Sequence, residues 1–169
     1  NTDPVFESSD YLSLFGYLKY DSFDNKYFPK SGWYFAGDFQ SYLESSDYRN
    51  EFSRFSVAKA DTGIAQTIHK KFTMKLQAEA GLAIGENSVP FYDFVLGGYG
   101  FSPVINIRPF YGYDFLSVSG DSYIKATATL DYEFYKKNHI NFAANAANIG
   151  DRLFETSDWI SDDKLIGYA

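Results

Sequence analysis

Cysteine is absent from the 169 residues of the chain, which excludes disulfide frameworks, thiol nucleophiles and cysteine-based zinc sites. No apolar run reaches about 18 residues, so the sequence predicts no transmembrane helix. Basic side chains are also scarce, since 22 acidic residues outnumber 15 basic ones and give a formal net charge of -7. Such a chain is a poor partner for a phosphate backbone, and we expect it to bind no nucleic acid.

A Gly-x-Ser-x-Gly motif is also missing, so this chain holds no serine hydrolase elbow and is not expected to be an enzyme itself. The two histidines, His69 and His139, lie in predicted turns and have no neighbours at metal-ligand spacing. We therefore predict no catalytic residue, no metal and no cofactor. Aromatic residues, by contrast, are abundant: 17 Phe, 15 Tyr and 2 Trp make up 20% of the chain.

The segment from Lys71 to Ile84 alternates strictly between apolar and polar residues. Its apolar positions are Phe72, Met74, Leu76, Ala78, Ala80, Leu82 and Ile84, and its polar positions include Thr73, Lys75, Gln77 and Glu79. A period of two over about 14 residues predicts a β-strand rather than a helix. At about 3.3 Å per residue the strand is about 45 Å long. Such a length suits a tilted strand that crosses a membrane.

The same alternation predicts further strands over 11–21, 32–42, 123–134 and 140–148, and a seventh strand that begins near Lys164. Residues 51–68 follow the pattern less regularly, because Arg54, Lys59 and Asp61 interrupt a clean apolar face. We interpret this segment as a strand with a bulge or a shift of register.

The predicted connections alternate between two sets. Residues 22–31, 69–70 and 135–139 connect strands at one end, and 44–50, 85–118 and 150–163 at the other. Outer-membrane barrels have short periplasmic turns and long extracellular loops, so 85–118 is predicted to be extracellular. The fold class is therefore all-β: residues 1–169 form a single segment of an antiparallel transmembrane β-barrel. Seven antiparallel strands leave the first and last strands in the same direction, which indicates part of a larger barrel.

Two alternatives fit the alternation. A soluble lipocalin-like barrel would carry a small apolar ligand with its apolar row inside. A small, complete membrane barrel that acts as an enzyme or a porin is disfavoured by the odd number of strands. The inward rows assigned here, which hold Lys75, Glu79 and Lys125, favour the membrane interpretation over the lipocalin.

Two groups of residues resemble motifs of a known family. The first is Tyr20-Asp21-Ser22-Phe23-Asp24-Asn25, followed by Phe28-Pro29 and Gly32. The second is Leu96-Gly97-Gly98, followed by Ile107-Arg108-Pro109-Phe110 and then by Gly120-Asp121. Both resemble the bacterial surface antigen superfamily of outer-membrane assembly and translocation barrels. The first group resembles a hairpin turn of that family, and the second resembles its long loop, in which Pro109 replaces the family's glycine.

The resemblance implies a barrel of about 16 strands in the bacterial outer membrane. It implies that Arg108 points into the lumen and pairs with an acid on the strand after the loop, either Asp131 or Glu133. It also gives structural roles to two sets of residues. The turn motif comprises Asp21, Asp24, Asn25, Pro29 and Gly32, and the loop motif comprises Gly97, Gly98, Pro109, Phe110 and Gly120.

One subgroup is the most similar, because of Pro109-Phe110-Tyr111-Gly112-Tyr113 in the loop and Lys136-Lys137-Asn138 in the following turn. In this subgroup the barrel is the C-terminal part of a patatin-like phospholipase of Bacteroidetes-type bacteria. The resemblance implies a barrel that anchors or translocates an attached or partner domain. The expected partners are outer-membrane lipid and lipopolysaccharide, the remaining strands of the barrel, and a periplasmic or fused patatin-like domain.

Overall fold

A computed structural model describes residues 10–46, 52–85, 93–103, 105–155 and 164–169. The strands are β1 (Tyr11–Asp21), β2 (Ser31–Ser45), β3 (Phe55–His69), β4 (Phe72–Ile84), β5 (Phe94–Leu96), β6 (Ile107–Arg108), β7 (Val118–Gly120), β8 (Ser122–Tyr135), β9 (Asn138–Gly150) and β10 (Leu165–Tyr168). A single turn of 3₁₀ helix covers Leu153–Glu155. Among the described residues there is no helix long and apolar enough to cross a membrane.

Seven strands form one sheet in the order β1-β2-β3-β4-β8-β9-β10. Every neighbouring pair in this sheet is antiparallel. The predicted all-β, antiparallel architecture is therefore confirmed. The six long strands lie within a few residues of their predicted bounds, and the seventh strand, β10, has four residues. The turns 22–30, 70–71 and 136–137 share one end of the sheet, here called the short-turn end. The segment between β4 and β8 leaves from the opposite end, here called the long-loop end.

The two faces of the sheet differ in polarity. One face, called the apolar face, carries Trp33, Ile64, Leu76 and Phe142, all of which are exposed. The opposite face, called the polar face, carries Tyr34, Asp61, Glu79, Lys125 and His139 at the alternate positions. Because successive side chains of a strand point to opposite faces, the sequence alternation directly produces this difference.

Strand β3 shows where the irregularity predicted for residues 51–68 lies. The strand pairs with β2 without a break from Phe55 to Gln66. Its only shift against β4 lies at the end, between Thr67 and His69. Lys59 and Asp61 do not interrupt the strand, because both lie on the polar face, where charged side chains find partners.

The segment between β4 and β8 contains three short strands that the sequence pattern did not predict. They form a separate sheet in the order β6-β5-β7, with β5 and β6 parallel. This small sheet packs onto the polar face near the long-loop end. The contact forms the core of the described structure, which comprises Tyr42, Phe55, Val57, Phe94, Leu96, Phe110, Tyr123 and Ala147.

Candidate functional site

The two halves of the loop motif are bonded to each other. The backbone N–H of Gly97 donates to the carbonyl of Arg108 at 3.2 Å, and the N–H of Phe110 donates to the carbonyl of Gly98 at 2.8 Å. Gly97 and Gly98 have φ angles of 143° and 72°, a region that favours glycine over other residues. The Gly97–Gly98 pair therefore shapes the backbone at the start of the loop, and its hydrogen bonds hold the loop tip in place.

Arg108 has different partners from those predicted. Its Nε donates to the phenol oxygen of Tyr123 at 3.0 Å and lies 3.8 Å from Oε2 of Glu79. Glu79 belongs to β4, the strand before the loop. The prediction of Asp131 or Glu133 as the partner is therefore wrong, since both of those carboxylates are paired elsewhere.

Glu79 is also paired with Lys125 on the neighbouring strand. The two residues lie directly opposite each other in the β4–β8 ladder, and Lys125 Nζ is 2.7 Å from Oε1 of Glu79. Lys125 Nζ also donates to the backbone carbonyl of Pro109 at 3.1 Å. Lys125 thus connects the loop tip to the sheet through a backbone carbonyl. Because every residue has this carbonyl, the bond does not require the family's glycine at position 109.

A second carboxylate faces Glu79 from the other side. Asp61 on β3 lies directly opposite Glu79 in the β3–β4 ladder, and like charges so placed repel each other. Asp61 accepts a hydrogen bond from the phenol of Tyr34, which in turn accepts one from Nε2 of Gln77 at 2.9 Å. Lys125 and Arg108 compensate the charge of Glu79, so this network contains both signs of charge in close contact.

A polar cavity of about 130 Å³ lies between the loop and the sheet. Its lining includes Lys59, Asp61, Glu79, Pro103, Arg108 and Tyr123. Charges of both signs line it, with Lys59 and Asp38 forming a further pair at 3.1 Å. Such a lining suits a hydrated interior rather than an apolar ligand.

Phe94 fixes the base of the loop against the sheet. Its ring is fully buried and packs at 4.8 Å between ring centroids on Tyr123. The rings occupy the space that a side chain at Gly81 would need, since an added Cβ would lie 2.6 Å from both. Gly120 has a similar role at the end of the loop, because its missing side chain leaves room for the backbone of Gly150.

The turn motif at the short-turn end is held by side-chain caps. Oδ1 of Asp21 accepts a hydrogen bond from the N–H of Phe23 at 3.0 Å. Oδ1 of Asp24 accepts from the N–H groups of Lys30 at 2.8 Å and Ser31 at 3.1 Å. Asn25 caps the N–H groups of Tyr27 and Phe28 in the same way. Short polar side chains that bond to nearby backbone are typical of turns.

Pro29 and Gly32 complete the turn. Pro29 is buried, and Gly32 adopts a φ of 109° against the backbone of Ser22. The side chains and backbone of these turn motif residues therefore make the contacts that shape the turn.

This turn reaches strands that lie more than 100 residues away in the sequence. Lys30 Nζ is 2.7 Å from Oε2 of Glu133 on β8, and the ring of Phe28 stacks on His139 of β9 with centroids 3.9 Å apart. Nδ1 of His139 lies 2.8 Å from Oδ2 of Asp131. These contacts account for both predicted acids. They also correct the assignment of His139 to a turn, because it lies within β9 on the polar face.

Two charged groups of the turn have shifted pKa values. Desolvation alone would raise the pKa of Asp24, but the hydrogen bonds from the N–H groups of Ser31 and Lys30 outweigh it and hold that pKa below its ordinary value. The hydrogen bond and charge of Glu133 raise the pKa of Lys30. Both groups are therefore charged at neutral pH, and electrostatic attraction helps to keep the turn in place.

The residues missed by sequence reasoning are Glu79, Lys125, Tyr123 and Phe28. The alternation placed the first three on the inward row, but it gave no register between strands. Only the pairing of β4 with β8 shows that Glu79 and Lys125 are opposite each other. The partner of Phe28 depends on the path of the whole turn, for which a short motif holds no information.

The fold and these contacts define a sheet of membrane β-barrel type, with one exposed apolar face and a long loop folded onto the opposite, polar face. The family model of the OMP85 superfamily matches residues 1–169. The chain therefore belongs to the OMP85 superfamily, a family of outer-membrane β-barrels for assembly or translocation. No curated protein is significantly similar to the chain.

Proposed function

We propose that this chain is part of a larger outer-membrane barrel that anchors or translocates an attached or partner domain. The observation that carries the proposal is the position of the loop. The polar face is covered by the folded loop, whereas Ile64, Leu76 and Phe142 on the apolar face are exposed. Contiguous exposed apolar surface needs an apolar environment, and the hydrocarbon core of a membrane provides one.

The same observation disfavours a lipocalin-like carrier. A soluble barrel would enclose the apolar row and expose the polar row. Here the loop packs on the polar row, with Phe94 and Tyr123 in contact and Arg108 beside Glu79. In the described part of the chain, the loop and the charged pairs occupy the face on which such a carrier would bind its ligand.

The attached domain in this proposal is a patatin-like lipid acyl hydrolase. The resemblance of the loop segment around Pro109 and of the turn around Lys137 to that subgroup supports it. The catalytic serine and aspartate would lie outside this chain, and the barrel would hold the hydrolase at the membrane. The other partners are lipopolysaccharide at the long-loop end and the remaining barrel strands along the edges of β1 and β10.

The test is the intact mass of the native protein in purified outer membranes, detected with an antibody against residues 105–118. A membrane-bound protein well above 19.2 kDa supports the larger barrel, and its excess mass gives the size of the attached domain. A soluble protein of 19.2 kDa would overturn the proposal. Lipid acyl hydrolysis by the purified full-length protein, and its loss on treatment with a serine-reactive phosphonate, tests the patatin-like domain separately.

A further inference from the structure

Four lysines lie side by side at the short-turn end. Lys70 and Lys71 form the turn between β3 and β4, and Lys136 and Lys137 form the turn between β8 and β9. Because β4 pairs with β8, the two turns are neighbours: the N–H of Glu133 donates to the carbonyl of Lys71 at 3.0 Å. Lys71 Nζ also donates to the carbonyl of Phe134 at 3.2 Å. All four lysines are exposed.

Most of this positive charge is uncompensated. Within the described part of the chain, the ammonium groups of Lys70, Lys136 and Lys137 have no carboxylate within 4.0 Å. Glu133, the acid beside these turns, is already paired with Lys30 and accepts the backbone N–H of Lys137. The chain as a whole has a net negative charge, so this compact group of unpaired lysines is a local positive patch on an acidic protein.

An exposed aromatic surface adjoins the lysines on the apolar face. Phe72 stacks on Tyr132 with ring centroids 4.6 Å apart, and Phe134 and Ile140 are exposed beside them. Tyr132 is directly opposite both Phe72 and Ile140 in the ladder. A row of cations therefore borders an aromatic and aliphatic surface, which is the arrangement found where a protein meets the headgroups of a bilayer.

We propose that this patch binds a glycerophospholipid with an anionic headgroup in the leaflet at the short-turn end. The lysines bind the phosphate groups, and the acyl chains lie along Phe72, Tyr132 and Ile140. A water-soluble acidic domain would match the lysines alone, whereas a phospholipid matches both halves of the patch. Clusters of lysines at a membrane border recognise anionic lipids by this electrostatic attraction. The inference rests on the proposed membrane location.

The test uses the full-length protein in vesicles and measures the association of spin-labelled phosphatidylglycerol relative to spin-labelled phosphatidylcholine. We expect phosphatidylglycerol to associate about two to three times more strongly at low salt, and this preference to fall as salt rises. The variants Lys70→Gln/Lys71→Gln and Lys136→Gln/Lys137→Gln should each reduce the preference, and the quadruple variant should bring the ratio to about one. Exposed turn positions tolerate this change, and the heat-dependent electrophoretic mobility of the barrel checks the fold.

The matched control is Arg152→Gln/Lys164→Gln, which removes the same charge at the long-loop end. It should leave the preference unchanged. An equal ratio for the two lipids in the native protein, or an equal loss in the control and lysine variants, would overturn the inference. Absence of the full-length protein from the membrane fraction would instead refute the proposed function. The two failures are therefore distinguishable.

Discussion

The carboxylate of Glu79 lies 2.7 Å from Nζ of Lys125, across a pair of strands that sets the two residues directly opposite each other. Only 4% of the Lys125 side chain and 11% of the Glu79 side chain are exposed. Arg108 approaches the other oxygen of the same carboxylate. One acid on β4 therefore binds both a cation of the sheet and a cation of the loop tip.

Replacing Glu79 with Gln should destabilise the protein by about 3 kcal/mol, because Lys125 would remain buried without a counter-charge. The free energy of unfolding in urea, measured in lipid vesicles, checks this value. The double variant Glu79→Leu/Lys125→Met should recover part of the loss, since it removes both charges of the closest pair and leaves only Arg108 without its carboxylate. Lys59→Gln is the control: its pair with Asp38 is more exposed, so the expected loss is about 1 kcal/mol or less. Equal losses for the two single variants would contradict the prediction.

Replacing Arg108 with Ala should loosen the loop without abolishing the sheet. The variant removes the hydrogen bond to Tyr123 and the ion pair with Glu79, but leaves the bond from Lys125 to Pro109. We expect cleavage within residues 93–120 by a soluble protease to become faster, and the melting temperature to fall by a few degrees. Unchanged cleavage together with an unchanged melting curve would show that Arg108 does not hold the loop.

Gly81→Ala should displace Phe94, because the added Cβ would lie 2.6 Å from the rings of Phe94 and Tyr123. We expect a loss of about 1 to 3 kcal/mol, the usual effect of overpacking. Gly16→Ala provides the matched control, since nothing lies within 4 Å of its added Cβ. Urea unfolding of both variants, with loop proteolysis as a second readout, measures the difference. A Gly81 variant as stable as the Gly16 variant would mean that the loop packs elsewhere.

Phe28→Ala should release the turn 22–30 from β9, because the variant removes the stacking on His139. The local loss is about 1 kcal/mol, and trypsin should then cleave faster after Lys26 and Lys30. Tyr27→Ala changes the adjacent aromatic residue, which is 76% exposed, and should leave the cleavage rate unchanged. Similar rates for the two variants would argue against the docked position of the turn.

Acid should open the same turn through Asp24. Its folded-state pKa lies below the ordinary value of 3.8, so the carboxylate contributes its full stabilisation above that value and loses it as the pH falls through the folded-state pKa. Pepsin, which is active at low pH, should then cleave at Tyr27–Phe28 increasingly as the pH decreases below about 3.8. Asp24→Ala should be cleaved at every pH tested. A native cleavage rate that does not change over this range would show that Asp24 does not hold the turn.

Much of the sheet could be predicted from the sequence, because period-two alternation determines both the strands and their faces. In β4 the residues from Phe72 to Ile84 have the predicted orientation. Residues 51–68 were harder, since Lys59 and Asp61 look like interruptions until their neighbours are known. Once Asp38 is placed beside Lys59 and Tyr34 beside Asp61, both charges belong to the polar face.

The side-chain contacts of the candidate site could not be predicted from the sequence to the same extent. Alternation tells which face Glu79 occupies, but the partner of Arg108 depends on how a long loop folds back. The three short strands of that loop are held by tertiary contacts, such as Phe94 against Tyr123, rather than by a local pattern. Asp131 and Glu133 had the correct face and the wrong partners for the same reason.

The docked turn also bears on how the chain folds. Residues 22–30 connect two strands that are adjacent in the sequence, and we expect such a hairpin to form early because its contacts are local. Its turn, however, reaches its final position only on Glu133 and His139, which belong to strands that follow much later. The turn of this hairpin therefore reaches its final position only after β8 and β9 have formed. Protection of the trypsin sites after Lys26 and Lys30 would report when β8 and β9 have joined the sheet.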